Sequence, residues 1–237
     1  PTIDHKRNDD PMTSALNRTS AVTRRAVLTG IAATGATALG ACTSSAQLTD
    51  MRGDYSGEIK FDSYDTSAGT YEPATREHRA KNVPKPILPE EANKNSVAGL
   101  HANIAYLAAA YIYGFNSGDA ECVGKSALSS EDKASLTRAI GRVSGSTWLA
   151  DPTLIISLKE ATPRQDGDTY TWPALLTLKI GPFRVKNRSV EEVPESERSL
   201  EFPMDIDARY KDERWVFDTL PTGSSSSSPG AGGTSRV

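Results

Sequence analysis

Cys42 is the residue of this 237-residue sequence best placed for covalent chemistry. Leu39-Gly40-Ala41 precedes it, and the two small residues beside the thiol leave the peptide bond before Cys42 accessible to a peptidase. A cysteine thiolate is a nucleophile that can take up a diacylglyceryl group. The pattern therefore predicts cleavage before Cys42 and lipidation, with acyl chains such as palmitate, of the cysteine that becomes N-terminal.

The segment before Cys42 has the pattern of a signal peptide. A mildly apolar stretch runs from Ala26 to Gly40, which is shorter than the roughly 20 residues that a spanning helix needs. Arg24 and Arg25 precede this stretch and are similar to a twin-arginine export signal, with the general secretory route as the alternative. Leu39-Gly40-Ala41-Cys42 resembles a bacterial lipobox.

The rest of the sequence lacks familiar catalytic patterns. It has no Gly-rich phosphate loop, no zinc-binding His or Cys pair and no Gly-x-Ser-x-Gly elbow. Asp205 and Asp207 lie two apart on the polar side of a predicted strand, where a solvated face explains them better than an acid/base pair. His101 lies at the edge of an apolar helix face, and we favour a hydrogen-bonded structural histidine over a base that lines a pocket. The sequence therefore predicts no catalytic residue, no metal site and no cofactor, with His101 as the candidate pocket residue.

Composition narrows the choice of partners. The formal net charge is -3, with 37% hydrophobic and 24% charged residues. These values argue against a polytopic membrane protein and a strongly basic nucleic-acid binder. We expect a location on the outer face of the cell membrane, with the lipid bilayer as one partner through the diacylglyceryl anchor. An envelope protein or a small ligand is the other expected partner, and nucleic acid is not.

Composition also divides the chain into four segments. They are a signal peptide at 1–41 (with Met12 as an alternative start), a lipidated Cys and flexible tether at 42–70, a single α+β domain at 71–220, and a disordered Ser/Gly-rich tail at 221–237.

Helix signals come first within the predicted domain. Asn95 or Ser96 can cap a helix that runs to about Phe115, and Ser129 can cap a second helix that ends near Gly141. The proline-rich segment 82–89 cannot be helical and is predicted to lie as an extended strap along its own domain.

Strand signals follow. Alternating apolar and polar residues predict four strands, Thr153 to Glu160, Thr169 to Ile180, Arg198 to Tyr210 and Arg214 to Asp218. A long charged loop around Glu191 and Glu192 is predicted between the second and third strands. Strands with one apolar and one polar face are typical of an antiparallel sheet that is covered on one side only. The order of helices first and strands after indicates an α+β fold.

Two resemblances are visible in these elements. The helices and the sheet that ends in Trp215-Val216-Phe217-Asp218 are similar to the cone-shaped nuclear transport factor two-like (cystatin-like) fold. Pro73-Ala74-Thr75, Asn82-Val83-Pro84 with Pro86, and Ser96 with Gly99-Leu100 resemble an uncharacterised lipoprotein family, a domain of unknown function, of high-GC Gram-positive bacteria. The first resemblance implies N-terminal helices packed on a curled antiparallel sheet of about four strands. The second implies a lipoprotein but no catalytic residue.

Two functions are compatible with this sequence. The first is a non-catalytic, lipid-anchored module that binds a ligand or partner. The second is a small-pocket enzyme of isomerase or dehydratase type, by analogy with other cone-shaped folds. An enclosed cavity that a buried His or Asp faces would favour the enzyme, whereas a filled interior or a wide mouth would favour binding.

Overall fold

The computed structural model describes residues 48–219, which form a mixed α/β structure with three α-helices and open antiparallel sheets. The helices are α1 (Val97–Ser117), α2 (Glu121–Lys125) and α3 (Ser130–Arg142), with 3₁₀ turns at Glu90–Asn93 and Glu195–Glu197. The strands are β1 (Gly57–Glu58), β2 (Tyr64–Asp65), β3 (Lys85–Pro86), β4 (Trp148–Leu149), β5 (Thr153–Leu158), β6 (Arg164–Asp166), β7 (Thr169–Lys179), β8 (Phe183–Lys186), β9 (Ser189–Glu192), β10 (Ser199–Lys211) and β11 (Arg214–Thr219).

Serine side chains cap both long helices, as the sequence predicts. The Ser96 hydroxyl accepts a hydrogen bond from the Gly99 backbone N–H at 2.9 Å, and the Ser129 hydroxyl accepts one from the Asp132 N–H at 3.1 Å. Helix α1 ends at Gly118, whose φ of 81° lies in the left-handed region that glycine adopts without strain. The short helix α2 was not predicted.

The largest sheet contains six strands. Its order is β1-β5-β7-β10-β11, all antiparallel, and β6 pairs with β7 beyond the end of β5. The four predicted strands correspond to β5, β7, β10 and β11, which are consecutive neighbours. The predicted number of about four strands is therefore too low, because it omits the two short strands β1 and β6.

A second sheet replaces the predicted charged loop around Glu191 and Glu192. Strands β8 and β9 form a hairpin, and β8 also pairs with β4. Asn187 and Arg188 connect the hairpin with φ values of 52° and 69°. Two consecutive residues with positive φ are the signature of a tight type I′ turn, for which asparagine is a favoured first residue. The prediction of a long loop here is wrong.

Helix α1 is buried on opposite sides. Its Leu100, Ile104 and Phe115 share one hydrophobic cluster with the buried face of the six-stranded sheet. Tyr106 is also fully buried, and its ring lies 6.1 Å from that of Phe61 in the N-terminal segment. A helix that is apolar all round is typical of a position inside a core rather than at its edge.

Residues 48–70 lie within this folded structure, where the sequence predicts a flexible tether. Leu48 is only 4% exposed, and Thr49 forms a bridge with Ser96 at the start of α1. Strand β1 pairs with β5, and β2 pairs with β3. The tether prediction therefore does not describe this part of the chain. The predicted tail at 221–237 lies outside the described residues.

The proline-rich strap lies along its own domain, as predicted. Strand β3 contacts α1, and Pro86 is buried. The Cys122 thiol lies 3.9 Å from the Pro86 carbonyl oxygen and is itself fully buried. Burial raises the pKa of this thiol, so the reactive thiolate form is disfavoured.

Candidate functional site

A groove of about 440 Å³ lies where several loops meet near the C-terminal end of α1. Four parts of the chain contribute to it: residues 76–77 before the strap, the turn after α3, strand β4 and the β8–β9 turn. The lining residues are Arg76, Glu77, Gly145, Ser146, Trp148 and Arg188.

Trp148 anchors one side of this groove. It is 8% exposed, and its indole N–H donates a hydrogen bond to the Thr75 carbonyl oxygen at 2.8 Å. The Thr75 hydroxyl accepts hydrogen bonds from the backbone N–H groups of Glu77 and His78, each at 3.1 Å. These bonds hold the turn that carries Arg76 and Glu77.

A small hydrophobic cluster supports the groove and is separate from the main core. Its buried members are Ala74, Ala80, Trp148, Ala150, Phe183 and Val185. Because the cluster combines the segment before the strap with both strands β4 and β8, it holds the groove-lining elements to one another.

Two arginines line the groove, together with Glu77. The Arg76 guanidinium forms an ion pair with Glu192 at 2.7 Å and lies 5.0 Å from the centre of the Phe183 ring. Arg188 is held through its backbone N–H, which donates to the Ser146 carbonyl oxygen at 3.3 Å. Within residues 48–219 the Arg188 guanidinium has no ionic partner. Its charge can therefore meet an anion from solution.

Arg79 fixes the groove to the ends of two helices. Its guanidinium donates hydrogen bonds to the carbonyl oxygens of Val143, Thr147 at 2.5 Å and Asn116 at 3.4 Å. Cations are favourable at helix C-termini, where carbonyl groups lack partners within the helix. Burial lowers the pKa of Arg79, but arginine remains charged at neutral pH.

The structure places the candidate pocket residue His101 away from the groove. Its ring lies 5.4 Å from that of Tyr55 and 6.3 Å from that of Trp172. Burial lowers the pKa of this half-buried imidazole. Within the described part of the chain no group hydrogen-bonds to its ring, so its contacts are aromatic rather than the hydrogen bonds expected from the sequence.

Asp205 and Asp207 differ in their surroundings. Asp205 is exposed, and the Asp207 carboxylate accepts a hydrogen bond from the Thr171 hydroxyl at 2.6 Å. No group of three or more His, Cys, Asp and Glu side chains in residues 48–219 is arranged to hold a metal ion. The other predicted site residues, Arg24, Arg25, Leu39, Gly40, Ala41 and Cys42, lie outside the described residues.

Comparison with protein families gives one match. Residues 69–221 match the model of a family described as "Family of unknown function (DUF6318)". The chain belongs to this family. The predicted resemblance to a domain of unknown function is confirmed to this extent. No curated protein and no solved structure matches the chain.

The DUF6318 match covers all six residues that line the groove, whereas Leu48, Tyr55 and Phe61 precede it. Between residues 48 and 219, none of the helices combines the length and apolar character required for a membrane span.

Sequence reasoning missed the groove. Its residues come from three regions far apart in the chain and meet only through the second sheet. The one local signal was Asn187 followed by Arg188 between two short strands, which marks a hairpin that presents an arginine.

Proposed function

We propose that this chain is a lipid-anchored envelope protein on the outer face of the cell membrane, and that its domain is a non-catalytic binding module. The groove between Arg76 and Arg188 is the observation that carries the binding function. Support for the anchor comes from the sequence, where Cys42 follows Leu39-Gly40-Ala41 and an apolar stretch preceded by Arg24-Arg25. This arrangement is that of a bacterial lipoprotein, and the resemblance extends to those of high-GC Gram-positive bacteria.

The groove suits a ligand or partner group that joins an anion to a planar or apolar part. An arginine side chain binds carboxylate or phosphate through parallel hydrogen bonds and stacks on planar groups. Arg188 supplies such a guanidinium, which forms no ion pair within residues 48–219, and Trp148 supplies an adjacent aromatic wall. Glu77 on the same groove limits how much negative charge the ligand can carry. The proposed ligand therefore carries a single negative charge, such as one carboxylate, rather than the several charges of a polyphosphate.

A cone-shaped arrangement of the nuclear transport factor two-like type is part of this proposal. Its support is the run of four adjacent antiparallel strands and the contact between helix α1 and strand β5. In that arrangement the N-terminal helices pack on a curled sheet, and the interior is the natural place for a catalytic pocket.

The alternative of a small-pocket isomerase or dehydratase needs an open space next to a proton acceptor. His101 is the described histidine that borders the interior, and the rings of Tyr55 and Trp172 occupy two sides of it. The buried aromatic residues Trp172, Phe115 and Phe217 further fill the region between helix and sheet. These contacts favour binding over catalysis.

The anchor is tested by replacing Cys42. The Cys42→Ser protein should lose the diacylglyceryl mass increment and leave the membrane fraction or remain unprocessed. Retention and processing equal to the parent would refute the anchor. A paired Arg24→Lys and Arg25→Lys variant tests the twin-arginine route, and normal surface delivery of that variant would favour the general secretory route.

The groove is tested by NMR titration with benzoate, a planar monoanion. The Trp148 indole N–H resonance should shift with a millimolar dissociation constant, and Arg188→Gln should weaken binding about tenfold, as expected for loss of one charged hydrogen-bond pair. Arg142→Gln removes an exposed arginine that does not line the groove and should bind like the parent. Equal binding by both variants, or no shift at Trp148, would refute the groove as the binding site.

A further inference from the structure

Only a short piece of chain separates the proposed anchor from the folded structure. Leu48, which is 4% exposed, is six residues beyond Cys42. Fully extended chain spans at most about 3.3–3.6 Å per residue, so this piece reaches roughly 20 Å. A predicted tether of the whole segment 42–70 would have reached much further.

Leu48 is fixed at the end of the molecule where α1 begins. The Thr49 carbonyl oxygen accepts a hydrogen bond from the Val97 N–H at 3.2 Å. At the same end, the Tyr210 hydroxyl donates to the Asn93 carbonyl oxygen at 2.6 Å, and the Trp215 indole N–H donates to the Lys94 carbonyl oxygen at 2.9 Å. The turn between β10 and β11 is thereby held beside the start of the helix. We call this surface the helix-start end; it comprises residues 48–54, 90–94 and 211–214.

The groove lies at the opposite end of the same helix. Helix α1 has 21 residues, which corresponds to about 30 Å at 1.5 Å per residue. At its C-terminal end, Arg79 connects the Asn116 carbonyl group to Thr147, which directly precedes Trp148 in the chain. The groove is therefore roughly one helix length away from Leu48.

We propose that the lipidated protein sits on the bilayer with the helix-start end towards the lipid headgroups and the groove towards the outside. This inference rests on the proposed lipidation of Cys42. If the groove touched the bilayer, Leu48 would lie about 30 Å above it, beyond the reach of roughly 20 Å that six residues allow. The short connection therefore excludes the groove as the face on the bilayer, and the proposal places the membrane surface against the helix-start end because this end lies nearest the anchor. Partners of the groove then approach from the opposite side.

Charge has little part in this orientation. The helix-start end carries both signs, with four basic residues (Arg52, Lys94, Lys211 and Arg214) and six acidic ones (Asp50, Asp54, Glu90, Glu91, Asp212 and Glu213). Attraction to anionic headgroups grows with the net number of basic residues near the surface, and here six acidic residues outnumber four basic ones. The short connection to the acyl chains therefore determines the orientation, and the orientation should persist at high salt.

Single labels at the two ends test the proposal in the full lipidated protein. A fluorophore is attached at Lys211→Cys or at Ser146→Cys, because both native residues are exposed and Cys122 is buried. Vesicles of phosphatidylcholine with a nitroxide on the headgroup then quench labels close to the bilayer. We expect several-fold stronger quenching at position 211 than at position 146, at both low and high salt. Equal quenching, or stronger quenching at position 146, would overturn the orientation.

A longer connection provides the matched control. A Gly/Ser segment of about 25 residues inserted after Ala46 has a root-mean-square span of about 25–30 Å and should bring the two labels to similar quenching. A persistent difference would show that something other than the short connection orients the domain, and would overturn the inference. Mass spectrometry of the same sample separates the two proposals: a protein without the lipid increment refutes the anchor, whereas a lipidated protein without a quenching difference refutes only the orientation.

Discussion

Arg79 shows how one side chain can hold distant parts of a chain together. Its guanidinium reaches carbonyl groups at the end of α1, directly after α3 and next to the groove. None of these acceptors is a carboxylate, so Arg79 acts through helix ends rather than through an ion pair. A Cβ atom at position 118 would lie 2.6 Å from the Arg79 guanidinium. Glycine at this position therefore leaves room for the Arg79 side chain.

Replacement of Arg79 by methionine should destabilise the fold. The apolar stem is kept, but the carbonyl groups of Asn116, Val143 and Thr147 lose a charged donor, at a cost of roughly 1–3 kcal/mol. Arg79→Lys keeps the charge without the planar fork and should fall between parent and Arg79→Met. Urea unfolding measures both variants, and an Arg79→Met protein as stable as the parent would contradict this role.

His101 should make the stability of the fold depend on pH. Burial lowers the pKa of the folded imidazole, whereas the pKa of an unfolded histidine is about 6.5. The unfolded chain therefore binds more protons in the window between the folded pKa and about 6.5, so the free energy of unfolding decreases as the pH falls through it.

Thermal unfolding of His101→Gln between pH 7 and pH 5 checks this prediction. The variant should lose less stability than the parent over this range, although its absolute stability at pH 7 should be lower because the contacts with Tyr55 and Trp172 are gone. His78→Gln provides the comparison with a histidine outside this aromatic cluster. A pH dependence of His101→Gln identical to that of the parent would rule out the proposed linkage.

At the scale of elements, the start of α1 depends on close backbone contact. A Cβ atom at Gly99 would overlap the Lys94 carbonyl group and approach the Glu91 carbonyl oxygen to 2.9 Å. The Lys94 carbonyl also accepts hydrogen bonds from the Ser96 N–H and the Trp215 indole, so it has little freedom to move. The glycine allows the 3₁₀ turn to pass directly over the helix.

Gly99→Ala should therefore destabilise the protein by about 1–3 kcal/mol, the usual cost of overpacking. Gly141 gives a matched control, because it is also helical and a Cβ atom there meets nothing within 4 Å. Gly141→Ala should stabilise the protein by roughly 0.5–1 kcal/mol through the higher helix propensity of alanine. Denaturant unfolding should give opposite signs for the two variants, and the same sign for both would contradict the contact at Gly99.

The sequence predicts the elements whose local pattern is strong. Ser96 and Ser129 are found as caps, and the four long strands have regular alternation, so both helices and these strands lie close to the predicted bounds. The segment 48–70 was missed because its buried apolar residues are few, irregularly spaced and separated by polar ones. These residues pack against the side of α1 that carries Tyr106. That side of the helix is recognised as buried only in the tertiary structure.

The groove was missed for a related reason. Arg76, Trp148 and Arg188 have no periodic relation in the sequence and meet because β4 pairs with β8. The β8–β9 hairpin has short strands rich in charged residues, so its composition is that of a loop. Its turn residues were a better guide than its hydropathy.

At the scale of the whole molecule, the folded unit starts before the family match. Tyr55 contacts His101 and Trp172, and Phe61 contacts Tyr106, although all of residues 48–68 precede the matched region. A chain that begins at Gly69 would expose these contact surfaces to water.

We expect the chain that begins at Gly69 to be less stable than one that begins at Gln47 by on the order of 5 kcal/mol. This figure follows from the loss of a few large apolar side chains at about 1.5–3 kcal/mol each. Thermal and urea unfolding of the two chains measure the difference directly. Limited proteolysis of the longer chain should also leave residues 48–70 attached, and rapid cleavage within this segment would contradict its place in the fold.

The pairing of Glu58 with Ser157 limits how early strand β1 can join the sheet during synthesis. These residues are about 100 positions apart, and a ribosome that adds 5–20 residues per second needs on the order of 10 s to make the second after the first. Throughout that interval β1 has no strand partner, although β2 of the same segment can already pair with β3. The six-stranded sheet therefore cannot be completed until β5 has been made, and the rate of translation sets how long β1 stays unpaired.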